Sequence, residues 1–380
     1  MNFELSQKHL MMQDLYRQFT KKEVEPRAHE VDETEEFPYD TVEKMAKVGF
    51  FGIQFPKEYG GAGSDNLAYA MCVEELSKAC GTTGVIVSAH SSLCAAPIYE
   101  SGTPEQKEKY LTKLATGEWL GAFGLTEAGA GTDAAMQQTT AKLEGDNYIL
   151  NGSKIFITNA DAAHVYIILA MTDKSQGTRG LSAFIVEKTH PGFSVGKKEK
   201  KMGIRGSLTC ELIMQDCIVP KENLLGKEGQ GFKIAMQTLD GGRVGIAAQA
   251  LGIAQGAIDA TVAYVKERKQ FSKRISQFQN TQFELADMQT KVDAARLLTY
   301  RAASMKDAKQ KYSQEAAMAK LYASEVSSDV TRRCLQLFGG YGYTREYPIE
   351  RMMRDAKITE IYEGTSEVQK MVIAAAMKVN

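Results

Sequence analysis

After Pro220 the chain contains one further proline, Pro348, and this scarcity constrains the fold more than any other feature. Proline breaks helix interiors, so its near absence leaves the C-terminal part free to form long helices. Between positions 279 and 309, Phe283, Met288, Val292, Ala295 and Leu298 stay close to one face at helical spacing. Such helices suit a bundle that packs against partner subunits. The preceding texture differs. From about Trp119, turn signals at Gly145-Asp146-Asn147 and Asn151-Gly152 separate short β-prone runs at 148–150, 155–158, 165–170, 181–186 and 211–214. That block reads as a mostly antiparallel sheet or barrel. Before it come helices broken by Gly and Pro, with Leu67, Ala70, Met71, Val73 and Leu76 forming an apolar stripe within 65–80. The expected fold is α+β, mainly α, with an N-terminal helical domain over 1–118, a middle β-barrel domain over 119–226 and a C-terminal helical bundle over 227–380.

Charge narrows the function. With 46 basic and 47 acidic residues, no global field draws the chain to nucleic acid or an anionic membrane, so a phosphate-bearing ligand must be held locally. The six cysteines form no C-x-x-C and no His pair has H-x-x-x-H spacing, which argues against a zinc site and a disulfide framework and fits a reducing compartment. The first residues, Met1-Asn2-Phe3-Glu4, carry no basic and apolar leader, and no later run reads as a membrane span. The expectation is a cytoplasmic protein without a resident metal.

One carboxylate stands out. Ile349, Met352, Met353, Ala356 and Ile361 continue a helical stripe, Gly364 can stop it, and Ser366 with Gln369 has capping-box spacing to start another helix. Glu363 falls in the break. Apolar neighbours such as Ile361 and Tyr362 raise its pKa while the following helix N-terminus lowers it. A raised value suits a general base; pairing with a Lys or Arg is the bland alternative.

Several loops permit close approach. The run from Gly121 to Asp133 is dense in small residues after a predicted strand, and the free N–H groups of such a loop can hold phosphate oxygens. No G-x-G-x-x-G or G-x-x-x-x-G-K-[ST] is present, which leaves little support for a Rossmann or P-loop reading. In the run Lys154-Ile155-Phe156-Ile157-Thr158-Asn159, strand alternation points Phe156 and Thr158 to one face, where they could flank a heteroaromatic ring or simply pack in the core. Asp240-Gly241-Gly242-Arg243 reads as the opening of a long helix with a cation, and Arg268 lies at the edge of another break, where it could fork onto phosphate. The run from Gln336 to Gly342 repeats the close-approach theme. Together these loops favour a large phosphorylated cofactor.

These residues also match a family. Gly124-Leu125-Thr126-Glu127, followed by Ala130-Gly131-Thr132-Asp133, resembles the first signature of the flavin-dependent acyl-CoA dehydrogenases. Gln336, Gly339, Gly340, Gly342, Tyr343 and Glu346, followed by Arg351 and Asp355, resemble the second. With the run from Ile361 to Ser366, the likeness covers essentially the whole chain and is strongest to bacterial short-chain, butyryl-type members. Two departures concern the loop's shape: Met136 stands where a small residue is usual and Ala128 where Pro is common.

The resemblance implies a C-terminal four-helix bundle that builds a homotetramer as a dimer of dimers. It implies FAD as cofactor, with Phe123, Leu125, Thr126, Gly131, Thr132, Phe156, Ile157, Thr158, Thr365, Ser366 and Glu367 against the flavin or its linker. Arg268, Gln270, Phe271, Gln279, Gln336, Leu337, Gly339 and Gly340 would reach the pyrophosphate and adenine of a neighbour's FAD. Thr132, Asp240, Gly241, Gly242, Arg243 and Gly364 would contact acyl-CoA, and the acyl tail would end near 88–97, where His90 could face the cavity or, as the favoured reading, sit as a satisfied core histidine. Some relatives carry their base at the position of Gly242; glycine offers no carboxylate, so Glu363 is the implied base. A ribityl hydroxyl and the Glu363 N–H would hold the thioester oxygen, and electron-transferring flavoprotein is the implied redox partner. Rival readings are an acyl-CoA oxidase or flavin monooxygenase on the same fold, or a noncatalytic helical assembly protein.

Overall fold

The computed structural model describes residues 4–379. Its N-terminal part is helical, and the helix Asn66–Ala79 begins where expected because Asp65 caps it, accepting the Ala68 N–H at 2.8 Å. The strands β1 (Gly121–Gly124), β2 (Thr140–Glu144), β3 (Asn147–Ile157), β4 (Val165–Met171), β5 (Leu181–Glu187), β6 (Phe193–Lys198), β7 (Cys210–Pro220) and β8 (Leu224–Leu225) form one sheet. Its order is β6-β7-β3-β2-β4-β5-β8, with β1 added to β4. The ladders are antiparallel except β1 with β4 and the single pair joining β2 to β4, and the path runs from β6 to β8 without closing a ring. All seven residues of β4 are buried, as a strand covered on both faces requires.

Gly145 makes the expected turn, with φ +62°, but Asn151-Gly152 does not. Those two residues lie inside β3, where the register to β7 slips between Leu150 and Gly152. The glycine is needed for a bulge: φ is +144° and a Cβ would stand 2.7 Å from the Thr139 Cα. A second slip between Lys154 and Ile157 also breaks the expected alternation, and Phe156 takes a left-handed φ of +59°.

Three long helices follow, Gly231–Glu267, Gln279–Asp307 and Ser313–Phe338, and then the shorter Ile349–Ile358 and Ser366–Ala376. Met288, Val292 and Ala295 are buried on the anticipated face, whereas Phe283 is 62% exposed on this chain. Asp240 to Arg243 do not open their helix; it starts at Gly231. Gly231–Glu267 is also long and apolar enough to cross a membrane, contrary to the sequence reading, yet it is mostly buried as the central helix of the protein. It packs on Asn66–Ala79 and Ser313–Phe338, so N- and C-terminal helices share one core that includes Met71, Leu251, Ile253 and Val330. Burying such side chains contributes about 1.5–3 kcal/mol each, which fixes the two helical parts against each other.

Candidate active site

The break after Ile349–Ile358 is built by two consecutive left-handed residues, Glu363 at φ +53° and Gly364 at φ +94°. Holding a glutamate there costs roughly 1–2 kcal/mol, so the surroundings must impose it. They do. The Gln369 amide donates to the carbonyls of Glu363 (3.2 Å) and Gly364 (2.8 Å), and Lys320 Nζ donates to Gly364 O at 2.7 Å. Thr365, not Ser366, caps the next helix, accepting the Val368 N–H at 3.4 Å, which frees Gln369 for the loop instead of a capping box.

Glu363 faces inward. Its Oε2 is buried without a hydrogen-bond partner, and its N–H finds no acceptor among the described residues. Burial pushes the carboxyl up to about 8, against the opposing charges of Lys320 and Arg243. Desolvation therefore outweighs the helix N-terminus, and the ion-pair alternative is not realised. Gly242 lies directly beneath: a Cβ there would overlap Glu363 Oε2. The two positions compete for one volume. Beside them Arg243 Nη1 donates to Asp240 Oδ1 at 2.5 Å, Ser313 Oγ bonds the other Asp240 oxygen, and Arg243 Nε is buried without a partner.

The opposite wall is the loop after β1 together with the irregular end of β3. Beneath that loop lies Lys154, fully buried, donating to Glu127 at 2.6 Å, Gln137 at 2.5 Å and Leu125 O at 3.3 Å. Glu127 also accepts the N–H groups of Gln138 (2.6 Å) and Thr139 (3.0 Å). Burial pushes Glu127 up, but Lys154 and these bonds together hold it below the usual carboxylate value.

Two cavities meet at Glu363. One of about 650 Å³ is lined by Thr126, Gly131, Thr132, Phe156, Thr158 and Thr365, and by the segment from Lys200 to Ile204. The other, about 340 Å³, is lined by Ala89, Leu93, Phe123, Leu125, Ile157, Phe232, Met236, Leu239 and Arg243. Tyr362, Glu363, Gly364, Phe156 and Thr158 belong to both. Phe156 and Thr158 thus share a wall, through a backbone irregularity and not strand alternation.

Arg268, Gln270, Gln336, Leu337, Gly339 and Gly340 assemble elsewhere, in an open groove of about 490 Å³ with Arg268 over the Tyr341 ring at 5.3 Å. Phe271 is 89% exposed, and neither it nor Gln279 lines the groove. Asp240, Gly241 and Gly242 line neither of the first two cavities, nor do Ser366, whose Oγ is buried without a partner, and Glu367, which is exposed. His90 is a core histidine: Nε2 bonds Leu114 O at 3.0 Å, Nδ1 accepts the Gly121 N–H at 3.1 Å, and burial pushes its pKa down to about 4.

Sequence reasoning missed Lys154 with Glu127, and Lys320. A lysine inside the small-residue stripe Ala316, Ala319, Ala323, Ser327 was the available signal for Lys320, since that spacing puts it on the buried face. It also missed Gln249, which joins Tyr362 OH to Gly81 O and so ties the Glu363 loop to the central helix.

A helical layer, a mixed sheet and a helical bundle converging on one inward-facing acid and a two-chambered cavity are a build shared with solved flavin-dependent dehydrogenases. The chain belongs to the acyl-CoA dehydrogenase family, whose N-terminal, middle and C-terminal domain models match residues 6–118, 122–217 and 229–378. It is 60% identical, over 98% of its length and 99% of the relative's, to the short-chain specific acyl-CoA dehydrogenase of Clostridium acetobutylicum. The butyryl-CoA dehydrogenase of Megasphaera elsdenii superposes with a TM-score of 0.98 at 50% identity, each chain covered in full. A chain in the structure of the electron-transferring flavoprotein of Acidaminococcus fermentans, reported for flavin-based electron bifurcation, superposes at 0.99 with 57% identity and full coverage of both.

A flavin is the family's cofactor, and the residues present fit one. Phe156, 60% exposed, stands on the cavity wall in a strained backbone, and on the same wall a Cβ at Gly131 would meet nothing within 4 Å. An aromatic held out over open space suits the face of a flat ring.

Proposed function

We propose that this chain catalyses α,β-dehydrogenation of a short-chain, butyryl-like acyl-CoA to the trans-2-enoyl-CoA, or the reverse reduction. The observation that carries this reading is Glu363 Oε2, an unpartnered buried carboxylate oxygen at the junction of two cavities. Glu363 takes the α-proton of the thioester in the forward sense and returns it in the reverse. A carboxyl held near 8 populates both protonation states around neutrality, which serves both directions. FAD, when bound, would supply the two-electron acceptor for the β-hydride, hydrogen and electrons together, in the forward sense and its donor in the reverse. The free Glu363 N–H is a donor for the thioester oxygen on which charge develops.

Thr126, Gly131, Thr132, Phe156, Thr158 and Thr365 would hold the flavin, with Phe123, Leu125, Ile157, Ser366 and Glu367 supporting that wall. The groove with Arg268, Gln270, Gln336, Leu337, Gly339 and Gly340, together with Phe271 and Gln279, would take the adenine and pyrophosphate of a second subunit's FAD. Its separation from the first cavity within one chain supports a tetramer in which subunits complete each other's sites. Asp240 to Arg243, Thr132 and Gly364 would meet the thioester ligand, and Ala89, Leu93, Met236 and Leu239 give its short acyl tail an apolar end. Electron-transferring flavoprotein is the proposed redox partner, the cytoplasm the proposed location, and 118/119 and 226/227 the domain boundaries.

Glu363→Gln tests the reading. It should keep bound yellow FAD and acyl-CoA affinity while turnover falls by about 10²–10⁴-fold. A variant that bleaches with butyryl-CoA at the wild-type rate would end it.

A further inference from the structure

Lys320 is fully buried on the helix Ser313–Phe338, and its ammonium makes one hydrogen bond, to Gly364 O at 2.7 Å, with no carboxylate in ion-pair contact among the described residues. A buried cation left this poorly compensated costs stability. Nothing in packing asks for it, because neighbours on the same stripe are Ala316, Ala319, Ala323 and Ser324. What it does reach is the peptide that carries Glu363. The Gly364 carbonyl is the anchor shared by Lys320 and Gln369, and it directly follows the residue whose carboxylate is the proposed base.

We propose that Lys320 is the positioning residue of the Glu363 loop: it fixes the Gly364 peptide so that the carboxylate and N–H of Glu363 face the cavity, and its charge keeps the Glu363 anion accessible. The inference rests on the reading of Glu363 as the base.

The charged and titratable groups around this pair come from four sides. Arg243 on the central helix is the other cation; Tyr69 comes from Asn66–Ala79; Tyr362 and Glu360 flank the loop; Glu367 opens the next helix. Asp240 engages Arg243 directly, which leaves Lys320 as the cation without a carboxylate partner of its own. Opposing charges of this kind lower a carboxyl's pKa, and Lys320 stands first among them, ahead of Arg243.

The test uses the holoenzyme and reads Glu363 in two ways. Infrared difference spectra, with Glu363→Gln as the blank, follow the protonated carboxyl band of Glu363 against pH; kcat/KM for butyryl-CoA is followed over the same range. In Lys320→Met the band should persist to higher pH, its midpoint rising by about 1–2 units. At neutral pH kcat/KM should fall about tenfold per unit and recover as pH is raised. Lys320→Arg, which retains the cation, should stay near wild type. Should Lys320→Met not fold, Lys320→Gln is read the same way. A midpoint and pH profile unmoved in the charge-removing variant would overturn the proposal. The infrared arm reports on Lys320 and Glu363 even if Glu363→Gln keeps its turnover, so failure of the base assignment is seen separately.

Discussion

Lys154 and Lys320 are both fully buried, both pushed down to about 8 by burial, and both hold a loop that walls the cavity, yet only Lys154 touches a carboxylate. Beneath the loop after β1, charge is closed within the protein: Lys154 meets Glu127, and Glu127 meets two backbone N–H groups. Beneath the 359–365 loop it is left open, with a lysine on a carbonyl and a glutamate on nothing. The first arrangement shapes a wall. The second leaves a carboxylate oxygen unpartnered at the cavity, as the proposed base requires.

Breaking the closed side should give the largest effect. Glu127→Ala leaves Lys154 buried without its partner, and unfolding by denaturant should show a loss of about 3–5 kcal/mol. A much smaller loss would mean that the pair is not the wall's anchor.

The pH dependence of stability should then separate the two sides by sign. Glu127 lies below its ordinary 4.5, so its contribution is present above that value and is lost as pH falls through its lowered pKa. Glu363 is raised from 4.5 to about 8, so the folded state is favoured below 4.5 and loses that advantage as pH rises through about 8. Glu363→Gln should therefore be more stable than wild type above about pH 8, on the order of 2 kcal/mol once the solvent reaching the cavity is discounted. Denaturation midpoints across this range would show it, and parallel curves would remove the distinction.

Gly242→Ala gives the smallest effect. Its methyl group competes with Glu363 Oε2 for space. Displacing the carboxylate should lower kcat/KM about tenfold while FAD absorbance stays unchanged. Wild-type kinetics would show that the carboxylate has room to move.

How much of this could be read beforehand follows from the distance over which each feature is determined. Glu363 and Gly364 sit between two local helical patterns, so the break was visible in a dozen consecutive residues, and the helix within 65–80 was visible in the same way from its apolar stripe. Asn151-Gly152 has turn chemistry, but the partner strand β7 makes it a bulge, and no local rule contains that partner. Ser366 and Gln369 have the spacing of a capping box, yet carbonyls five and six residues behind Gln369 take its amide. The lysines were least legible. Lys154 acts 27 residues from Glu127 and Lys320 acts 44 from Gly364, and neither separation has a periodic signature.

The overlap between Gly242 and the Glu363 carboxylate also bears on how such an enzyme can change over evolutionary time. An acid gained at 242 alone would crowd two like charges into one volume, and an acid lost at 363 alone would leave none. If Glu363 is the proton acceptor as proposed, moving that role from one strut to the other requires a coordinated double replacement, with an impaired ancestor on either single-step route.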